Sequence, residues 1–139
     1  MASPQDLHSA ACQAQENSYS PYSHARVGAA LLTGDGRVFT GANIENSSYG
    51  ATVCAERTAV VSAAAQGVRE IREIVVVTDA DPPWPPCGIC RQVLMEFAGD
   101  PKQLKVHLAD RKGIRSSHTL AELLPMAFSP SHLSGKARR

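Results

Sequence analysis

Ile74-Val75-Val76-Val77 is an unbroken run of β-branched residues, and it constrains the fold more than any other stretch of the chain. A strand with one wet face alternates apolar and polar residues, whereas a continuous apolar run is expected of a strand buried on both faces. Such a strand needs cover on each side, and its flanks supply helices. Ala55 to Gln66 is Ala-rich and helix-favouring, with Gly67 as its stop, and a second helix reads from about Gly88 to Ala98, closed by Gly99. Ahead of these, Ser3 is a candidate N-cap with Pro4 at the first helical position, and Leu7, Ala10, Ala11 and Ala14 recur at helical spacing. Cys12 sits off that stripe and reads as a bystander thiol.

Val27 to Leu32, the turn Thr33-Gly34-Asp35-Gly36 and Arg37 to Thr40 form a predicted hairpin. Leu104, Val106 and Leu108 alternate like a strand, and Leu120 to Leu124 suggest a last short helix. The Pro-rich stretch from Asp81 to Pro86 cannot be regular structure. Helix, hairpin, then helix and strand in alternation imply an α/β sandwich around a mixed sheet. At 139 residues the chain fits one domain, read as residues 1–128 with a basic tail at 129–139 that carries Lys136, Arg138 and Arg139.

A formal net charge of +1 gives no global field for nucleic acid or an anionic membrane. No stretch approaches the roughly 18 apolar residues of a membrane span. The N-terminal segment, with Asp6, His8 and several Gln, does not read as a signal peptide, so the expected setting is the reducing cytoplasm. Disulfides are rare there. Among Cys12, Cys54, Cys87 and Cys90, the close pair therefore points to metal or redox chemistry.

Cys54-Ala55-Glu56 opens one predicted helix and Pro86-Cys87-Gly88-Ile89-Cys90 opens another. Cys87 and Cys90, three residues apart, share a helical face. Brought side by side, the two turns would aim three thiols at one point. Helix N-termini favour thiolate over thiol, and thiolates are natural zinc ligands. Three protein ligands leave a fourth position open, as in a catalytic zinc site. Glu56 is too near Cys54 to be an ordinary fourth ligand but can reach that position, where a carboxylate can move protons. Three thiolates on one dication leave the site formally at −1. Arg57 and Arg91, each following a key residue, are candidates to hydrogen-bond a thiolate and restore Lewis acidity. A ligand-x-Glu followed later by Pro-Cys-x-x-Cys is the signature of zinc deaminases.

With those residues in place, the chain resembles the small, single-domain cytidine deaminases from about Tyr19 to Phe128. The resemblance is carried by Pro21-Tyr22-Ser23, Val27-Gly28-Ala29-Ala30, Asn43-Ile44-Glu45-Asn46, Tyr49-Gly50, Cys54-Ala55-Glu56-Arg57-Thr58, Pro86 to Gln92 and Leu123-Leu124-Pro125. It implies a three-layer α/β/α sandwich with a mixed five-stranded sheet and one zinc ion per subunit. It implies hydrolytic deamination of cytidine and 2′-deoxycytidine by a zinc-activated water, with Glu56 as proton shuttle. It also implies that Asn43 and Glu45 hold the ribose, that backbone around Ala55 and the Glu56 side chain read the pyrimidine edge, and that the protein is a homotetramer. Tyr49 and Phe128 match positions that cross between subunits.

The sequence departs from the family at Ala25, in Tyr22-Ser23-His24-Ala25-Arg26, where the family usually carries a Phe against the pyrimidine. Either Trp84 replaces the lost ring, or the pocket is larger and accepts bases substituted on the exocyclic nitrogen. Two rival functions stand beside this reading. One is a deaminase of the same fold acting on another small molecule, such as a nucleoside antibiotic; the other is a non-catalytic zinc-binding interaction module.

Overall fold

The computed structural model describes residues 1–134, so Lys136, Arg138 and Arg139 lie outside the described residues. Helix α1 (Pro4–Gln15) begins as its sequence requires: Ser3 Oγ accepts from the Asp6 N–H at 3.1 Å, and Asp6 Oδ2 accepts from the Ser3 N–H at 2.9 Å. This reciprocal capping box satisfies two backbone donors that no intrahelical bond could reach. The hairpin follows as β1 (Gly28–Thr33) and β2 (Val38–Ala42), one residue later at its start than the apolar run suggests. Then come α2 (Ala55–Ala65), β3 (Ile71–Val77), α3 (Gly88–Glu96), β4 (Lys105–Asp110), β5 (Gly113–Thr119), and the short helices α4 (Leu120–Leu123) and α5 (Pro130–Ser134). Gly67 and Gly99, after α2 and α3, take φ of +90° and +66°, the left-handed turn that ends a helix at little cost only in glycine.

The five strands form one mixed sheet in the order β2-β1-β3-β4-β5. β3 and β4 run parallel, joined through α3, and the other neighbours are antiparallel. The β-branched run sits in the central strand and splits its side chains between two cores. Ile74 and Val76 pack with Ala59, Val60, Leu94 and Leu120 on one face. Val75 and Val77 pack with Leu7 and Ala11 of α1 on the other. The result is the expected three-layer sandwich, and each of the buried Val, Leu and Ile side chains contributes about 1.5–3 kcal/mol relative to exposure. No helix among the described residues is long and apolar enough to cross a membrane.

β5 is the element the hydropathy pattern does not show. Gly113-Ile114-Arg115-Ser116-Ser117-His118-Thr119 has one aliphatic residue, because an edge strand with partly exposed side chains needs no continuous apolar face. After Phe128 the described residues continue into α5: the Phe128 and His132 rings stack at 5.5 Å, and the Phe128 carbonyl accepts from Gln92 Nε2 at 2.7 Å.

Two contacts bring the chemistry-bearing segments together. A Cβ on Gly41 of β2 would lie 2.5 Å from both the Ala55 carbonyl oxygen and the Ala59 nitrogen, so the first turn of α2 rests directly on strand backbone. Beside it, Ile44 pairs with Val53 through two backbone hydrogen bonds of 2.9 Å, and Tyr19 bridges to Ile44 from the other side. Asn43 and Glu45 are thereby held between the loop after α1 and the approach to Cys54.

Candidate active site

Cys54 is the N-cap residue of α2 and Cys87 the N-cap residue of α3, and neither spends its side chain on capping. Cys90 lies one turn into α3. The three sulfurs are all within 4.8 Å of one another, with Cys54 and Cys87 3.8 Å apart. Zinc–sulfur bonds of about 2.3 Å in a tetrahedron set ligand sulfurs about 3.8 Å apart. The donor set and its spacing therefore fit a single zinc ion held by Cys54, Cys87 and Cys90. Cys90 is buried, Cys54 half-buried and Cys87 exposed, which leaves the cluster open on one side. All four cysteines are free, and Cys12, its Sγ 3.6 Å from His8 Nε2, takes no part in the cluster.

The cluster carries negative charge before any metal arrives. The Cys54 thiol is held well below the usual thiol range, first by a hydrogen bond from the Cys90 thiol and then by Arg57. Cys90 is pushed up by that same bond and by burial. The anionic form is thus favoured at Cys54, and Arg57 is its counterion: Nη2 lies 3.7 Å from Cys54 Sγ and donates to the Thr52 carbonyl at 3.2 Å. Arg91 differs from the expectation. Its Nε donates to the Pro86 carbonyl at 2.8 Å and its Nη1 to the Leu123 carbonyl at 2.6 Å. Those carbonyls are the partners in the described structure, so Arg91 ties the metal-binding turn to α4 instead of reaching a thiolate.

Glu56 is 5% exposed. Burial pushes its carboxyl up from 4.5 to about 7, with the nearby Cys54 charge adding to the rise. A carboxyl tuned to neutrality beside an open metal position suits proton transfer in both directions.

A zinc-binding-region model for cytidine and deoxycytidylate deaminases matches residues 1–107. The chain belongs to that family. It is 50% identical over 124 residues to the cytidine deaminase of Halalkalibacterium halodurans, covering 89% of this chain and 92% of the relative. It is 47% identical to the probable cytidine deaminase of Dictyostelium discoideum over 131 residues, 94% and 86% of the two chains. Among solved structures, the cytidine deaminase of Burkholderia pseudomallei superposes with a TM-score of 0.84 at 46% identity, over 91% of this chain and all (100%) of that one.

The remaining sequence candidates fall into two groups. Asn43 and Glu45 lie beside the metal-binding turn, but both are engaged with the preceding loop. Asn43 Oδ1 accepts from Ser18 Oγ and from the Val27 N–H at 3.0 Å, and its Nδ2 donates to the Ala25 carbonyl at 2.8 Å. Glu45 Oε1 accepts from the Tyr22 and Ser23 N–H groups at 2.9 and 3.1 Å, and Oε2 accepts from Ser23 Oγ. Ser18 leaves no mark in the sequence, and Ser23 stands there only as part of the Pro21-Tyr22-Ser23 block with no role of its own, because a serine that holds a distant side chain leaves no local pattern. Tyr49 and Phe128 are 74% and 56% exposed, outside the core of this chain. Tyr49 meets Tyr22 edge-on, with ring centroids 5.7 Å apart. Trp84 is half-exposed, and its backbone N–H donates to Thr78 Oγ1 at 3.2 Å.

Proposed function

We propose that this protein hydrolyses cytidine, and 2′-deoxycytidine with it, to uridine or deoxyuridine and ammonia. The single observation that carries the reading is Glu56, a carboxyl buried against a three-thiol cluster with a neutral-range pKa. A non-catalytic zinc module would have no use for a carboxyl in that position. Zinc held by Cys54, Cys87 and Cys90 would supply Lewis acidity that lowers the pKa of water. Glu56 takes a proton from the attacking water and delivers it to the ring nitrogen N3 as the C4–O bond forms. The second water proton travels by the same carboxylate to the 4-amino group, and the C4–N bond breaks to release ammonia. Backbone around Ala55, in the first turn of α2, reads the pyrimidine edge together with Glu56 in this reading.

Hydrogen-bond capacity supports a sugar between Asn43 and Glu45. Asn43 has used both lone pairs of its oxygen and one of its two amide hydrogens, and Glu45 has used three of about four acceptor positions. One donor and one acceptor remain, which is what a hydroxyl requires. The exposure of Tyr49 and Phe128 supports their burial against neighbouring copies in a homotetramer. Reduced thiols throughout suit a cytoplasmic setting.

Ala25 favours a second reading of the base. Its methyl follows His24, which takes a φ of +61°, and its backbone is tied down on both sides by Ser23 and Asn43. The loop is therefore fixed while the Ala25 side chain fills little space, which supports acceptance of a nucleoside substituted on the exocyclic nitrogen where a Phe would stand. The test is a parallel ultraviolet assay of cytidine, deoxycytidine and an N4-substituted cytidine, with Glu56→Ala as the blank. Turnover of cytidine that vanishes in the variant is expected. Ala25→Phe should lose the substituted nucleoside selectively. No turnover by a zinc-loaded, folded protein overturns the reading and favours a different small-molecule substrate.

A further inference from the structure

We propose that Ser23 is a positioning residue for the sugar side of the site: its hydroxyl fixes the plane of the Glu45 carboxylate, and so aims the acceptor that Glu45 has left toward the substrate. The inference rests on the reading that Glu45 holds the sugar.

Two backbone donors, the Tyr22 and Ser23 N–H groups, converge on Glu45 Oε1. Bonds to a single oxygen act as a pivot, about which the carboxylate can still swing its other oxygen. The Ser23 hydroxyl donates to Oε2 and supplies the second point that defines the plane. That hydroxyl is itself held, because its oxygen accepts from the Ala25 N–H at 3.0 Å. The next residue, His24, sits in the left-handed region and closes the turn with its N–H on the Ser20 carbonyl at 2.9 Å. The serine is thus clamped from the backbone on one side and clamps the carboxylate on the other. The same hydroxyl is also the largest influence holding the Glu45 carboxyl below its ordinary range, followed among the favourable influences by the two N–H groups. A binding group held in one orientation before the ligand arrives loses less freedom on binding.

Removing the hydroxyl leaves both backbone donors in place, so the loop stays tethered and only the orientation of Glu45 is released. The experiment uses the zinc-loaded enzyme and the variants Ser23→Ala, Ser23→Thr and Glu45→Gln. KM and kcat are measured for cytidine, and inhibition constants for uridine and for 2′,3′-dideoxyuridine, which lacks the 2′ and 3′ hydroxyls. Ser23→Ala should raise KM for cytidine and the inhibition constant of uridine about tenfold, with kcat within about twofold. It should leave the dideoxy compound unaffected, and Ser23→Thr, which keeps the hydroxyl, should restore wild-type values. Equal weakening of both inhibitors, or none of either, overturns the positioning role, since a loop defect would not discriminate between sugars. Should Glu45→Gln leave the ratio of the two inhibition constants unchanged, the sugar role of Glu45 fails, and this inference fails with it.

Discussion

Gly41→Ala should damage the metal site from a residue that touches no thiol. The added methyl would stand 2.5 Å from the Ala55 oxygen and the Ala59 nitrogen and 2.9 Å from Thr58 Cβ, where ordinary contact begins at 3.4 Å. The obstructing atoms are helix backbone and cannot rotate aside, so the first turn of α2 must retreat by about 1 Å. Overpacking of that kind costs about 1–3 kcal/mol of stability. The larger consequence is positional, because the retreating turn carries Cys54 at its cap and Glu56 just inside, while Cys87 and Cys90 stay on α3. Zinc sites tolerate about ±0.2 Å in ligand distance, and a misplacement of about 1 Å near reacting groups costs on the order of 10²-fold in rate. Gly28→Ala is the control. Its methyl would meet the Ala11 oxygen at 2.1 Å, a worse collision, but on α1, which bears no ligand. Urea denaturation, zinc retention against a chelator and kcat should be measured together at a temperature where both variants are folded. Gly41→Ala should lose zinc affinity and kcat, and Gly28→Ala mainly stability. A folded Gly41→Ala protein with wild-type zinc retention and kcat would refute the reasoning.

Glu56 makes a prediction about the metal-free protein. Its folded pKa of about 7 lies above the ordinary 4.5, so the protonated carboxyl stabilises the fold fully below about pH 4.5, and that contribution is lost as pH rises through about 7. The difference is worth about 3 kcal/mol. With chelator present, wild type should therefore lose stability relative to Glu56→Gln between about pH 5 and pH 8; a flat difference in urea midpoints would show that the carboxyl is not desolvated. Arg57→Gln removes the cation beside Cys54 Sγ, and zinc affinity or activity should fall about 10- to 100-fold. Unchanged values in both would show that Arg57 serves only the Thr52 carbonyl.

Much of the molecule is written in short-range pattern. The β-branched run announces a doubly covered strand because burial on both faces admits no polar alternation. Ser3-Pro4 and the glycines after α2 and α3 mark helix ends because capping and left-handed backbone are local requirements. The metal site is legible for the same reason: Cys54-x-Glu56 and Cys87-x-x-Cys90 each place their side chains by the geometry of a single turn. Tertiary structure decided what depends on distant segments meeting. β5 is a strand because β4 offers it an edge, and its own residues do not demand one. Arg91 follows Cys90 yet donates to the Pro86 and Leu123 carbonyls, partners that exist only once the Pro86 turn and α4 are packed together. Glu56 reaches neutrality only when the sandwich closes over it, and Ser23 finds Glu45 across twenty-one intervening positions because Tyr19 and Ile44 happen to pair. Local sequence sets the conformation of each turn, but desolvation and long-range hydrogen bonds belong to the assembled fold.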